Sequence, residues 1–189
     1  MSAERGLRGP VAAVHGIVGF ATCLCLIGFY AGADGLGKVN DVGNAVFGVL
    51  SLALAWLIRS PGRGLLLGVA GAGAVLTVVG TVLVMTDTTG FYLAGLWSSF
   101  GFALIGVWLV GAGRHGPAGP GRSGRVAGAI MMLGLVGVPG IAMGLDDMST
   151  APAWTFVAGV SWAGTYLLFP AWSLRLAGQK DGVRTGNKP

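Results

Sequence analysis

Charge is what this 189-residue sequence has least of: seven acidic and twelve basic residues make up only 10% of it. So few charges cannot hydrate the surface of a water-facing domain, and 53% apolar residues with a mean hydropathy of +0.75 suit lipid instead. Cysteine and histidine are equally scarce, at two each. Cys23 and Cys25 stand two positions apart in one apolar run, so on a helix they face nearly opposite sides and do not bridge each other. Of the histidines, His15 lies one turn into the first run and His115 lies in a loop, which excludes the paired axial ligands of a membrane haem protein. We expect His15 at the membrane interface rather than as a ligand.

Motifs of soluble chemistry are missing too. The cluster Gly68, Gly71, Gly73 has neither a preceding soluble strand nor a ribose-binding acid, and no Walker lysine is present. Ser98 and Ser99 have no base beside them, which excludes a serine nucleophile there. The net charge of +5 comes with no basic helix and no aromatic-interleaved basic stripe, so nucleic acid is not an expected partner. We expect no enzyme, no catalytic residue, no cofactor and no metal site.

What is there is a series of apolar runs at about 11–33, 42–58, 64–85, 91–112, 126–145 and 152–174. All but the second reach the ~20 residues that cross ~30 Å of hydrocarbon as a helix. Charges sit between the runs and alternate in kind. Arg5 and Arg8 with Glu4, Arg59 and Arg63, Arg114 to Arg125 with His115, and Arg175 to Lys188 mark one side; Asp34, Lys38 and Asp41, Asp87, and Asp146 with Asp147 mark the other. Basic loops stay in the cytoplasm, so the pattern predicts six crossings with both termini inside, and dropping the short second run breaks it. Tyr30, Tyr92 and Trp154 at the outer ends and Trp56, Trp108 and Trp172 at the inner ends fit rings settling at headgroup depth. The first run is longer than the 7–15 residues of a signal-peptide core, so we read it as a span rather than a cleaved leader.

The fold class predicted is therefore all-α: a polytopic protein of the plasma membrane whose six transmembrane helices form three like-oriented hairpins. Residues 1–177 make one domain and 178–189 a short polar cytoplasmic tail. The hairpin reading rests on landmarks that recur at fixed spacing: Gly16 and Gly28, Gly68 and Gly80, Gly128 and Gly140, and a glycine thirteen residues before each of Trp56, Trp108 and Trp172. Pairs such as Gly28 and Gly32, Gly64 and Gly68, and Gly140 and Gly144 read as small-residue packing faces.

An ionisable residue inside a span is the best pointer to transport, and placing every Asp, Glu, Lys and Arg at or beyond a helix end leaves almost none. The outer acids are read as the counterpart of positive-inside bias rather than as a pore ring. Pro139 with Gly140 breaks the fifth run, and Pro170 interrupts the sixth. A substrate site near that break would use Pro139, Gly140, Ser161, Thr165 and Tyr166. Two function classes follow. One is a non-catalytic membrane component or accessory subunit acting through helix packing, with the lipid bilayer and another membrane protein or a second copy as partners. The other is a small transporter or channel for a neutral or hydrophobic solute.

Overall fold

The computed structural model describes residues 2–59, 62, 64–112 and 121–179, with side chains from residue 6 onward. The expected basic determinants Arg63, Arg114, His115, Lys180, Arg184 and Lys188, and with them most of the inner loop and tail, lie outside the described residues. Every regular element is helical: α1 (Ser2–Tyr30), α2 (Gly35–Leu57), α3 (Gly64–Met85), α4 (Phe91–Ala112), α5 (Gly121–Met131), α6 (Val138–Ala142), α7 (Thr155–Ala163) and α8 (Phe169–Ala177). A 3₁₀ segment, Met132–Gly137, joins α5 to α6, and a π segment, Gly164–Leu168, joins α7 to α8, so each pair forms one continuous rod. Five of the six rods are helices long and apolar enough to cross a membrane. Helix is the structure such runs must take in lipid, because it satisfies the backbone polar groups within one segment.

The third and fourth rods start and stop where the apolar pattern predicts; the second does not. It begins at Gly35 rather than residue 42, because the polar residues read as loop continue the helix. Gly37, Asn40, Asp41, Asn44, Phe47, Gly48 and Ser51 are all buried, at the three- and four-residue spacing of one helical face. That face points inward. Asp41 is thus nearly two turns inside a membrane-length helix and 3% exposed, which corrects its placement in an outer loop.

The rods form a closed ring. Each packs on the one before it, and the last returns to α1 through α8. Neighbours run antiparallel: along α1 and α2, His15 meets Ser51 while Phe29 meets Gly37. Along α3 and α4, Gly73 meets Gly101 and Gly80 meets Ser98. The core fills the half of the ring that contains the rod ends near Leu54 and Trp172, with Phe47, Phe102, Ile105, Leu109, Met131 and Phe169 at its centre.

Close approach occurs at some of the glycines the spacing singles out, Gly28, Gly80 and Gly128 among them, and equally at Gly73, Gly101 and Gly106, which it does not. A Cβ on Gly73 would lie 2.5 Å from the Gly101 oxygen, and one on Gly101 would lie 2.5 Å from the Gly73 oxygen. Gly106 and Gly128 are opposed in the same way at 2.6 Å. Gly64 and Gly68, by contrast, face open space. Gly32 and Gly144 end helices: each takes a left-handed φ, 99° and 65°, and the residue after it bonds back five positions, Ala33 to Gly28 and Leu145 to Gly140. The recurring landmarks also differ in surroundings. Trp56 is half exposed with Arg59 stacked 3.9 Å over its ring, whereas Trp108 and Trp172 are buried in the core.

Candidate ligand cavity

Two polar clusters lie inside the ring, one toward each end. Nearer the end of the molecule that carries the N-terminus of α1 and the C-terminus of α8, His15 is fully buried between the rings of Phe47 and Phe169, each centroid 4.4 Å away. Its Nε2 is 3.0 Å from Ser51 Oγ and its Nδ1 2.7 Å from Ser173 Oγ. Ser51 donates its only proton to the Phe47 carbonyl at 2.7 Å, so it must accept from Nε2–H, and Ser173 then donates to Nδ1. Every polar atom of the imidazole is satisfied. The expected interfacial histidine is instead a tie between α1, α2 and α8, because serines on two neighbouring rods supply the partners that water would have given.

The second cluster borders a cavity of about 360 Å³ toward the other end of the ring. Leu26 on α1, Phe91, Leu96 and Phe102 on α4, and Phe156 and Val160 on α7 form apolar walls. Tyr30, Tyr92, Met148 and Ala151 line it close to the loops that join these rods. Asn40, Asp41 and Asn44 line it from α2, Ser98 and Ser99 from α4, and Trp162, Thr165 and Tyr166 from the sixth rod.

Most of these polar groups are occupied. Asn40 Nδ2 donates to the Thr22 carbonyl at 3.0 Å, Asn44 Nδ2 to Asn40 Oδ1 at 3.3 Å, and the Tyr166 hydroxyl to Asn44 Oδ1 at 2.8 Å. Trp162 Nε1 donates to Ser99 Oγ at 3.1 Å. Asp41 differs. Its backbone carbonyl accepts from Thr81 Oγ1, which ties α2 to α3, but its Oδ2 is buried without a hydrogen-bond partner among the described residues. A lone buried carboxylate oxygen is among the costliest groups a protein interior can hold.

The chain matches no family model, no curated protein and no solved structure.

The cavity exists because the sixth rod changes neighbours along its length. Pro170 has no N–H to give and its ring crowds the preceding turn, and the backbone just before it widens so that Phe169 N–H bonds Gly164 O, five residues back. Beyond this π segment α8 packs on α1, while α7 before it packs chiefly on the 3₁₀ segment and α5. The space between α1, α2, α4 and α7 is left open.

Of the five residues expected at a substrate site, Thr165 and Tyr166 line this cavity. Ser161 is buried on α7, its Oγ without a partner among the described residues, and does not line it; Pro139 and Gly140 lie on α6, where Gly140 faces Leu96, Leu145 and Trp154. The group that sequence reasoning missed is Asn40, Asp41 and Asn44. Their i, i+1, i+4 spacing ahead of Phe47 and Ser51 was the available signal, since a loop has no reason to keep helical phase with the span after it.

Of the acids expected to share the outer side, Asp146 and Asp147 have separate partners. Asp146 accepts from the backbone N–H groups of Gly90 and of Leu93, the latter at 3.2 Å, and so caps the start of α4. Asp147 accepts from Ser149 N and Ser149 Oγ, each at 2.8 Å; these bonds, the hydroxyl's first, hold its carboxyl below the ordinary value of 3.8.

Proposed function

We propose that this is a non-catalytic, solute-binding protein of the plasma membrane, with both termini cytoplasmic, that takes a small and largely apolar solute into the cavity between α1, α2, α4 and α7. The supporting observation is the cavity itself: about 360 Å³ with apolar walls and a few convergent polar groups, the usual make-up of a small-molecule site. In the proposed orientation it faces the outer leaflet, and the role is that of a small carrier or channel component. Gly95 and Gly159 line the cavity at positions where an added Cβ has nothing within 4 Å among the described residues. Gly95→Leu should therefore fill it without disturbing the ring. The test is a panel of small solutes with apolar bodies, neutral and charged, scored by their effect on the melting of purified protein in lipid nanodiscs. Stabilisation of the wild type, lost in Gly95→Leu with the unliganded melting temperature kept, supports the reading; a wild type that no solute stabilises removes it.

A second reading, that of an accessory subunit acting through helix packing, draws on one observation. Gly64, Gly68 and Ala72 leave the outward face of α3 bare, next to an apolar groove lined by Val49, Leu52, Val75 and Val79. Purification from native membranes in mild detergent tests it: a stoichiometric partner displaced by Gly68→Leu favours this role.

A further inference from the structure

The wall of the cavity carries one strong chemical asymmetry. Asp41 supplies a carboxylate, and no lysine, arginine or histidine lines the cavity among the described residues. Lys38, one turn earlier on α2, is exposed and does not line it. The amides beside Asp41 bond each other, Tyr166 and the Thr22 carbonyl, and neither of them donates to its free oxygen. Around the same space stand Tyr30, Phe91, Tyr92, Phe102, Phe156 and Trp162, rings whose faces attract cations. An anion would meet a like charge, and a neutral solute would leave the carboxylate uncompensated. A cation with an apolar body satisfies both features.

We propose that the ligand of this cavity is an organic ammonium, a protonated or quaternary amine on an apolar body, with its charge at Asp41 and its hydrocarbon against the aromatic walls. The proposal rests on the reading of the cavity as a solute site and narrows it from neutral to cationic solutes. A small inorganic cation would use the carboxylate but leave the apolar walls without a function. The ring polarity also fixes how the ligand sits: the ammonium reaches inward to α2, and the apolar end points to the open side between α1 and α7, where Phe156 and Val160 are exposed.

The experiment uses two probes of the same shape, phenethyltrimethylammonium and its uncharged carbon isostere 3,3-dimethylbutylbenzene, titrated by calorimetry into the full-length protein in lipid nanodiscs with empty nanodiscs as blank. The wild type should bind the ammonium more tightly than the isostere. Asp41→Asn, which keeps the shape of the side chain and the backbone bond to Thr81, should weaken the ammonium by about tenfold or more, the usual worth of a charged partner, and leave the isostere unchanged. Gly95→Leu should weaken both. If the isostere binds the wild type as well as or better than the ammonium, or if Asp41→Asn binds the ammonium as tightly as the wild type does, the charge assignment fails while the cavity remains a solute site. If neither probe binds the wild type, both the assignment and the solute reading fail. The ratio of the two probes on the wild type decides the matter even where Asp41→Asn does not accumulate as folded protein.

Discussion

At Gly101 a single added methyl group would run into the Gly73 oxygen, and helix backbones held this close cannot move apart locally. We expect Gly101→Ala to cost ~1–3 kcal/mol, the range for overpacking a tight interior, and Gly68→Ala, with open space before it, to stay within ~0.5 kcal/mol of wild type. Thermal melting of the two variants in the same detergent checks the contrast, and equal melting temperatures would contradict it. Sequence spacing alone had favoured Gly68. Four-residue glycine spacing identifies helix faces on which backbones are able to approach, but it does not say which face meets a neighbour. His15 shows the same limit from the polar side. Its position near a helix start suggests an interfacial ring, and only the placement of Ser51 and Ser173 on neighbouring rods makes a fully buried imidazole acceptable.

Among the elements, α4 starts with a cap borrowed from a loop more than fifty residues later. Asp146 satisfies two of the orphan N–H groups at that helix start and places negative charge at the positive end of the helix. Asp146→Ala should therefore lower stability by ~1 kcal/mol, read as a lower melting temperature at neutral pH. Asp147 gives a pH signature of a different kind. Its folded carboxyl lies below the ordinary 3.8, so its contribution is complete above that value and disappears as the pH falls through the lower folded value. The difference in melting temperature between wild type and Asp147→Asn should accordingly shrink as the pH is lowered from about 5 to about 3. A difference that stays constant would show that the Ser149 bonds do not persist in solution. In sequence both acids looked like members of one outer acidic set. Their separate roles depend on which backbone N–H groups the loop brings within reach, and loop geometry has no periodicity from which to read it.

For the molecule as a whole, the proposed orientation places Ser149 outside and position 118 inside. A single cysteine at 149 should react with a membrane-impermeant maleimide added to intact cells, and one at Ala118 should react only after the membrane is opened. The reverse pattern would invert the topology, and with it the leaflet that the cavity faces. The sequence by itself determined the helical class, the number of apolar rods and the limits of the third and fourth, because hydrocarbon demands runs of fixed length and a backbone that satisfies itself. Those demands are local, so composition and length carry them. Only the tertiary structure decided that α2 extends back through Asp41, that Trp108 and Trp172 are core residues, and that the sixth rod leaves α1 at its π segment. Each of these depends on what a neighbouring rod presents at the same depth: Tyr166 to meet Asn44, Thr81 to hold the Asp41 carbonyl, and a separation of α7 from α1 that leaves room for a cavity. A polar residue enters a membrane bundle when another rod answers it, and that answer comes from residues as far apart in the chain as Asn44 and Tyr166.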